Sequence, residues 1–263
     1  MTRAAYIHGT DGAEQERLAL LNRLTNEAFV RFLDVKESEA VLEVGSGLGI
    51  LAGEVAARAS EGEVWGVEFS AAQLSKAGSD APNLRFVRAD AHALPFADES
   101  FDLTYCRYVL EHVADPARVL EEMRRVLKPG GRACAQENNI LVNVLDPPCP
   151  RFEKVWRAFA ELQRRLGGDA LIGGRLFSLF KRAGFDRVEL SIQPEIHYAG
   201  EPTFRPWMEN VAGNVRGGAR GLITEGLASA TEVEGALAEL SDFAGREDAS
   251  MTFYWNRAAG LKS

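Results

Sequence analysis

A layered α/β fold is predicted, with a mostly parallel sheet of about seven strands covered by helices on both faces, an added N-terminal helix and a helical cap. Three observations predict it. Short strand-like runs alternate with helical patterns between residues 40 and 137. Glycines cluster at the first passage from strand to helix. The alternation then stops near residue 140, and a long remainder follows.

The elements follow in order. Residues 13–33 repeat Leu18, Leu21, Leu24, Ala28 and Phe32 at three- and four-residue steps, the spacing of one helix face. Ala40–Val44 reads as a buried strand, and a helix over 48–59 places Leu48, Leu51, Val55 and Ala59 together. Strand 63–68, helix 71–78, strand 84–88 and strand 101–106 follow, then a helix over 116–127 with Val119, Leu120, Met123 and Leu127 inward. Lys128–Gly131 (KPGG) is a turn by composition, leading into strand 132–136. Parallel strands joined by right-handed crossovers satisfy this rhythm. Beyond it, residues 151–183 read as helix broken at the glycine pairs 167–168 and 173–174. Residues 183–192 read as helix end, turn and strand, 194–248 as an irregular, partly helical stretch rich in glycine around 213–226, and 251–258 as a closing strand. The expected division is 1–39 as N-terminal lid and helix, 40–193 as ligand-binding core, 194–249 as a cap insertion and 250–263 as the last core strand.

The chain carries a formal charge of −8, and its densest basic stretches are Arg124, Arg125 and Lys128, then Arg164 and Arg165. A nucleic-acid binder needs a basic stripe to displace counterions from phosphates, so nucleic acid is not an expected partner. No apolar run approaches 18 residues, and MTRAAYIHGTDGAEQERL has no signal-peptide core, so neither a membrane partner nor secretion is expected. Cys106, Cys134 and Cys149 are scattered, as in a reducing compartment; the expectation is a cytoplasmic protein, monomer or homodimer. No clustered His/Asp pattern suggests a metal.

The stretch VLEVGSGLG (41–49) concentrates the chemistry. In open parallel sheets ligands sit beyond the carboxyl ends of the strands. Glycine lets backbone approach such a ligand, and the following helix directs free N–H groups at it. The spacing is GxGxG, neither the GxGxxG of dinucleotide sites nor a P-loop, which needs a lysine. By itself such a loop reads equally as a tight turn. The next two strand ends add to it. Glu68 can accept both hydroxyls of a ribose, Asp90 an adenine amino group, while the Ala91 N–H faces a ring nitrogen and Phe69 packs on the base. Each carboxylate alone reads as a solvated strand end; three consecutive strand tips bearing glycines, Glu and Asp point to a nucleoside.

Taken together, VLEVGSGLG, GVEFS, FVRADAHALPFADESFD, VLEHVADP and LKPGG resemble, in order and spacing, the motifs of class I S-adenosylmethionine (SAM)-dependent methyltransferases, in the subgroup containing ubiquinone/menaquinone-type and many small-molecule enzymes. YIHGTD and LQRRLGGDALIGG are similar to stretches of other members, more weakly. The resemblance covers about 40–137. It implies a Rossmann-like core that takes SAM as cofactor and releases S-adenosylhomocysteine. It implies Glu43 and Gly45, Ser46 and Gly47 at the methionine part, Glu68 at the ribose, Asp90 with Ala91 at the adenine, and Arg107 beside the methionine part. Arg17 is a candidate partner for the SAM carboxylate and Tyr6 a candidate cover over the sulfonium.

The implied reaction is in-line methyl transfer to a small-molecule acceptor, in which the protein aligns donor and acceptor and excludes water. A hydroxyl or carbon acceptor calls for a base, an amine only for neutrality. The candidates for catalysis are His112, Glu137 and His8. Tyr198, Trp207, Tyr254 and Trp255 are candidate pocket aromatics. The fourth strand carries TYCRYV rather than a DPPY-type motif, and DPPCP (146–150) lies after the fifth, so Cys149 is not read as a nucleophile. The alternatives are a SAM-binding enzyme of the same fold with a non-methylating reaction, and a non-catalytic SAM-binding regulatory domain.

Overall fold

The computed structural model describes residues 12–78 and 81–263. Five strands form the parallel part of the sheet: β1 (Val41–Val44), β2 (Val64–Glu68), β3 (Leu84–Arg88), β4 (Phe101–Arg107) and β5 (Leu127–Glu137). Then come the three-residue β6 (Val144–Asp146), β7 (Val188–Tyr198) and β8 (Ser250–Leu261). The order is β3-β2-β1-β4-β5-β8-β6, with β7 on the other side of β8. β8 runs antiparallel to β5, β6 and β7. The α/β fold is as expected, with eight strands among the described residues rather than about seven. The extra one is β6, which pairs Val144–Asp146 with Thr252–Ser250 just before the DPPCP loop. KPGG, expected as a turn before the strand, is part of the strand itself. It lies within β5 as an irregularity, where pairing with β4 shifts between Phe101 and Leu103 and Gly130 takes φ +80°.

Both faces are covered. On one, α4 (Pro116–Val126) and α6 (Leu176–Arg182) pack Val119, Leu120, Met123 and Phe180 against Leu42, Cys106 and Ala135. α4 starts where Asp115 accepts from the Arg118 N–H and Pro116 occupies the first turn. On the other face lie α1 (Gly12–Leu33) and α2 (Ile50–Arg58), which bury Phe29, Val30, Leu33, Leu51 and Val55 on Val41 and Tyr105. The inward face of α1 is therefore rotated from the predicted one: Phe29 and Leu33 reach the core, and polar Thr25 and Asn26 are buried beside them.

A second apolar core joins α5 (Pro150–Arg165), α7 (Phe204–Thr224), α8 (Ala230–Ala244) and β8. Residues 204–224, within the stretch expected to be irregular and partly helical, form a continuous helix. The glycines serve packing: a Cβ on Gly213 would lie 2.9 Å from Arg17, on Gly218 2.6 Å from the Phe159 ring, and on Gly221 2.8 Å from Leu162. Helix propensity is given up where α7 must lie close against α1 and α5. A capping box between Ser229 and Glu232 starts α8.

Candidate active site

One cavity of about 950 Å³ runs from the tips of β1–β3 to the aromatic side chains of α5, α7 and β8. Its first half is made by the loop after β1. Gly45, Gly47 and Gly49 have φ of +79°, +54° and +75°. A Cβ on Gly45 would meet Val109 Cγ2 at 2.4 Å, and one on Gly49 would meet Phe86 Cζ at 2.4 Å. Only glycine satisfies both conformation and space there. The N–H groups of Gly45 and Ser46 donate to the Val67 carbonyl at 2.8 and 2.9 Å, so the loop folds over the tip of β2.

The tip of β2 answers in kind. Glu68 Oε2 accepts from the Gly47 N–H at 3.0 Å and Oε1 from the Ser70 N–H at 2.6 Å. A carboxylate held at both oxygens by backbone keeps lone pairs for a ligand and loses little freedom on binding one. Asp90, exposed at the rim, accepts from the His92 N–H at 2.9 Å and contacts His92 Nδ1 at 2.7 Å. Phe69 and Ala91 line the same rim.

Deeper in, Glu43 is buried, and burial pushes its carboxyl up to about 8 against the opposing pull of the Arg107 charge. Glu43 Oε2 and Ser46 Oγ are closed off with no hydrogen-bond partner among the described residues. Arg107 lines the cavity, but its guanidinium is clamped by α1: it donates to Asn22 and Asn26 Oδ1 at 2.7 Å and to Thr25 Oγ1 at 3.3 Å. Arg17 also lines it, with a bidentate pair to Glu14 at 2.7 Å and a bond to Asn210 at 3.0 Å that joins α1 to α7.

The candidates for catalysis separate. His112 lines the cavity, where burial lowers its proton affinity; its Nε2 lies 3.7 Å from Glu111 Oε1. Glu137 does not line it. Its Oε1 accepts from the N–H groups of Val109 and Leu110 at 3.0 and 2.9 Å, its Oε2 from that of Glu111 at 3.3 Å. The side chain turns inward and anchors the short 3-10 turn Leu110–His112. Burial and neighbouring Glu111 raise its proton affinity, against those three donors. Tyr6 and His8 lie outside the described residues.

The second half is aromatic: Tyr108, Trp156, Phe159, Trp207, Phe253 and Trp255 all line it. Trp207 and Trp255 were anticipated. Tyr198 is exposed on β7, and Tyr254 points to the other face of β8 from Trp255. The remaining rings had a signal: Phe152, Trp156 and Phe159 share a helical face, and Met251, Phe253 and Trp255 alternate along a strand. Tyr108 had none; it sits at φ +58°, outside the usual range of a tyrosine. Glu111 was also missed. It lines the cavity and is held by Asn138 at 2.8 Å and Gln163 at 3.2 Å. Cys149 is buried and its thiol pushed up to about 11 by that burial, which leaves it unreactive.

A left-handed glycine turn, an anchored carboxylate at the next strand tip and unpartnered acid and hydroxyl atoms between them fit the nucleoside and amino-acid ends of SAM. This is the architecture of class I SAM-dependent methyltransferases. Residues 42–135, about a third of the chain, match the family model described as a methyltransferase domain. The chain is 35% identical over 158 residues to an uncharacterized 37.1 kDa protein in transposon TN4556 of Streptomyces fradiae, covering 58% of this chain and 45% of that one. It is 39% identical over 105 residues to the demethylmenaquinone methyltransferase of Paenarthrobacter aurescens, covering 40% and 41%. The chain spans about half the length of the curated relatives it matches, or less. The YcgJ protein of Bacillus subtilis shares the fold with a TM-score of 0.60 at 19% identity, over 91% of this chain and 98% of that one. Among the described residues no helix is long and apolar enough to cross a membrane, and no group of three or more His, Cys, Asp or Glu is arranged to hold a metal ion.

Proposed function

We propose that the protein transfers a methyl group from SAM to a small, largely apolar acceptor held among the aromatic rings. The continuity of the cavity carries this reading. A volume of about 950 Å³ lies near the top of the range for ligand pockets, roughly 300–1,000 Å³, and suits two molecules end to end.

SAM, when bound, supplies a methyl group on a positively charged sulfur. Glu68 and Asp90 with Ala91 hold the nucleoside, while Glu43, Ser46 and the glycine loop receive the amino-acid end. The aromatic half orients the acceptor and excludes water, so alignment supplies most of the rate. His112, which burial keeps neutral, is the lining group suited to accept a proton from a hydroxyl. Glu137 contributes by fixing the turn that carries His112. Names of the quinone-methylating relatives support methylation in general, and the aromatic wall supports a small organic acceptor.

Incubation with methyl-labelled SAM and a metabolite extract tests this. Label is expected in a small molecule, and Glu68→Ala is expected to weaken SAM binding about 10- to 100-fold, as for losing charged hydrogen bonds of about 1.5–3 kcal/mol. Unchanged SAM affinity in that variant, measured calorimetrically, contradicts the assignment.

A further inference from the structure

We infer that Glu195, Gln136 and Arg257, buried behind the aromatic wall, are positioning residues that orient Trp255 and Tyr108 so that the cavity selects a flat, uncharged acceptor. This rests on reading the aromatic half as the acceptor site.

Odd-numbered residues of β7 and β8 share one sheet face, with Gln193 opposite Trp255 and Glu195 opposite Phe253. Diagonally across it, Glu195 Oε1 accepts from Trp255 Nε1 at 2.9 Å. A second chain runs from β8 to the tip of β4. Arg257 Nε donates to Gln136 Oε1 at 2.6 Å, and Gln136 Nε2 donates to the Tyr108 hydroxyl at 2.8 Å. The two chains meet where the Tyr108 and Trp255 rings lie 4.5 Å apart. Trp255 also sets Phe253 edge-on at 4.5 Å and 88°.

None of the three residues lines the cavity. Each is more than nine-tenths buried, among the described residues Glu195 has no Lys or Arg within ion-pair distance, and the His197 imidazole lies 3.7 Å from its carboxylate. Burying such groups costs free energy, and apolar replacements of similar shape are often neutral or stabilising, so packing alone does not account for them. Tyr108 adds a left-handed backbone, which is strained for a tyrosine and persists only where the surroundings enforce it. The common output of both chains is the angle of two wall rings.

Rings fixed at set angles reward a planar guest through offset-stacked and edge-on contacts. Aromatic walls also attract cations. Here, however, the lining carboxylates Glu43, Glu68 and Asp90 lie at the tips of β1–β3, Glu111 is engaged by Asn138 and Gln163, and no lining carboxylate comes from α5, α7 or β8. That favours an uncharged ring system.

The test measures binding of 2-naphthol and of tetramethylammonium by calorimetry, with and without S-adenosylhomocysteine, on the full chain and on Glu195→Leu, Glu195→Gln and Gln136→Met. Wild type is expected to bind 2-naphthol and not tetramethylammonium. Glu195→Leu and Gln136→Met should each weaken 2-naphthol about tenfold and shift tryptophan emission. Glu195→Gln, which keeps an acceptor for Trp255, should stay within about twofold, and S-adenosylhomocysteine affinity should hold throughout. Tighter binding of the cation, or no 2-naphthol binding by wild type, overturns the acceptor class. Wild-type 2-naphthol affinity and emission in both Glu195→Leu and Gln136→Met overturn the positioning role, as does parallel loss of S-adenosylhomocysteine. If Glu195→Leu does not fold, Gln136→Met decides. Failure of wild type to bind S-adenosylhomocysteine would instead sink the proposed function, while 2-naphthol alone still reads the wall.

Discussion

The two halves of the cavity are built by different means. The half at the strand tips is local: residues 43–49, 67–70 and 89–91 each end or directly follow a parallel strand, and backbone N–H groups and glycines do most of the shaping. The aromatic half is assembled from α1, β4, α5, α7 and β8, and side chains make its surface. Parallel topology brings consecutive strand tips to one edge whatever the side chains are. Only tertiary packing brings Trp156, Trp207 and Trp255 together. The first half should therefore fail through backbone changes and the second through loss of ring volume, each without the other.

The largest effect expected from this contrast is on the acceptor side. Trp255→Ala removes a buried ring and should cost about 3–5 kcal/mol of stability, read by denaturant unfolding. In the folded protein, methyl transfer should fall while SAM affinity stays within about twofold. Equal loss of both would mean that the halves are not separable.

Next comes the loop. Gly45→Ala places a Cβ against Val109 at a positive φ, which costs about 1–3 kcal/mol in backbone strain alone. Calorimetry should show SAM binding falling by up to about a hundredfold, with the Trp255 emission environment preserved. A variant that binds SAM normally would refute a loop shaped to its ligand.

The smallest effect sharpens the comparison through pH. Glu43 titrates near 8 instead of its ordinary 4.5 because it is buried. The folded state then holds a proton that the unfolded chain has released, so this group lowers stability as pH rises from about 4.5 to about 8, and adds no slope above that. A bound sulfonium and ammonium favour the carboxylate, so SAM binding below pH 8 should release a proton and tighten as pH rises. Glu43→Gln should flatten that rise and make the stability profile shallower. A wild-type affinity independent of pH between 6 and 8 would contradict it.

The same contrast explains what was legible in the sequence. Gly45, Gly47, Glu68 and Asp90 could be read because their placement depends on the strand each one follows. Glu137 follows a strand too, and was read as facing the acceptor; its true partners are N–H groups of residues 109–111, a contact that no local pattern encodes. The helix over 204–224 was legible only as part of a partly helical stretch, because the close approach of Phe159 and Leu162 that its glycines permit is a property of the assembled cap. Arg17 and Arg107, read as ligand contacts, line the cavity, and each is also held by polar groups of α1. Their role in joining α1 to the rest depends on neighbours distant in the chain.

A crystal structure with S-adenosylhomocysteine tests the central claim most directly. The account predicts ribose hydroxyls on Glu68, adenine beside Asp90 and Ala91, and the sulfur directed toward Tyr108 and Trp255. A nucleoside bound away from the tips of β1, β2 and β3, or a sulfur turned from the aromatic rings, would contradict it.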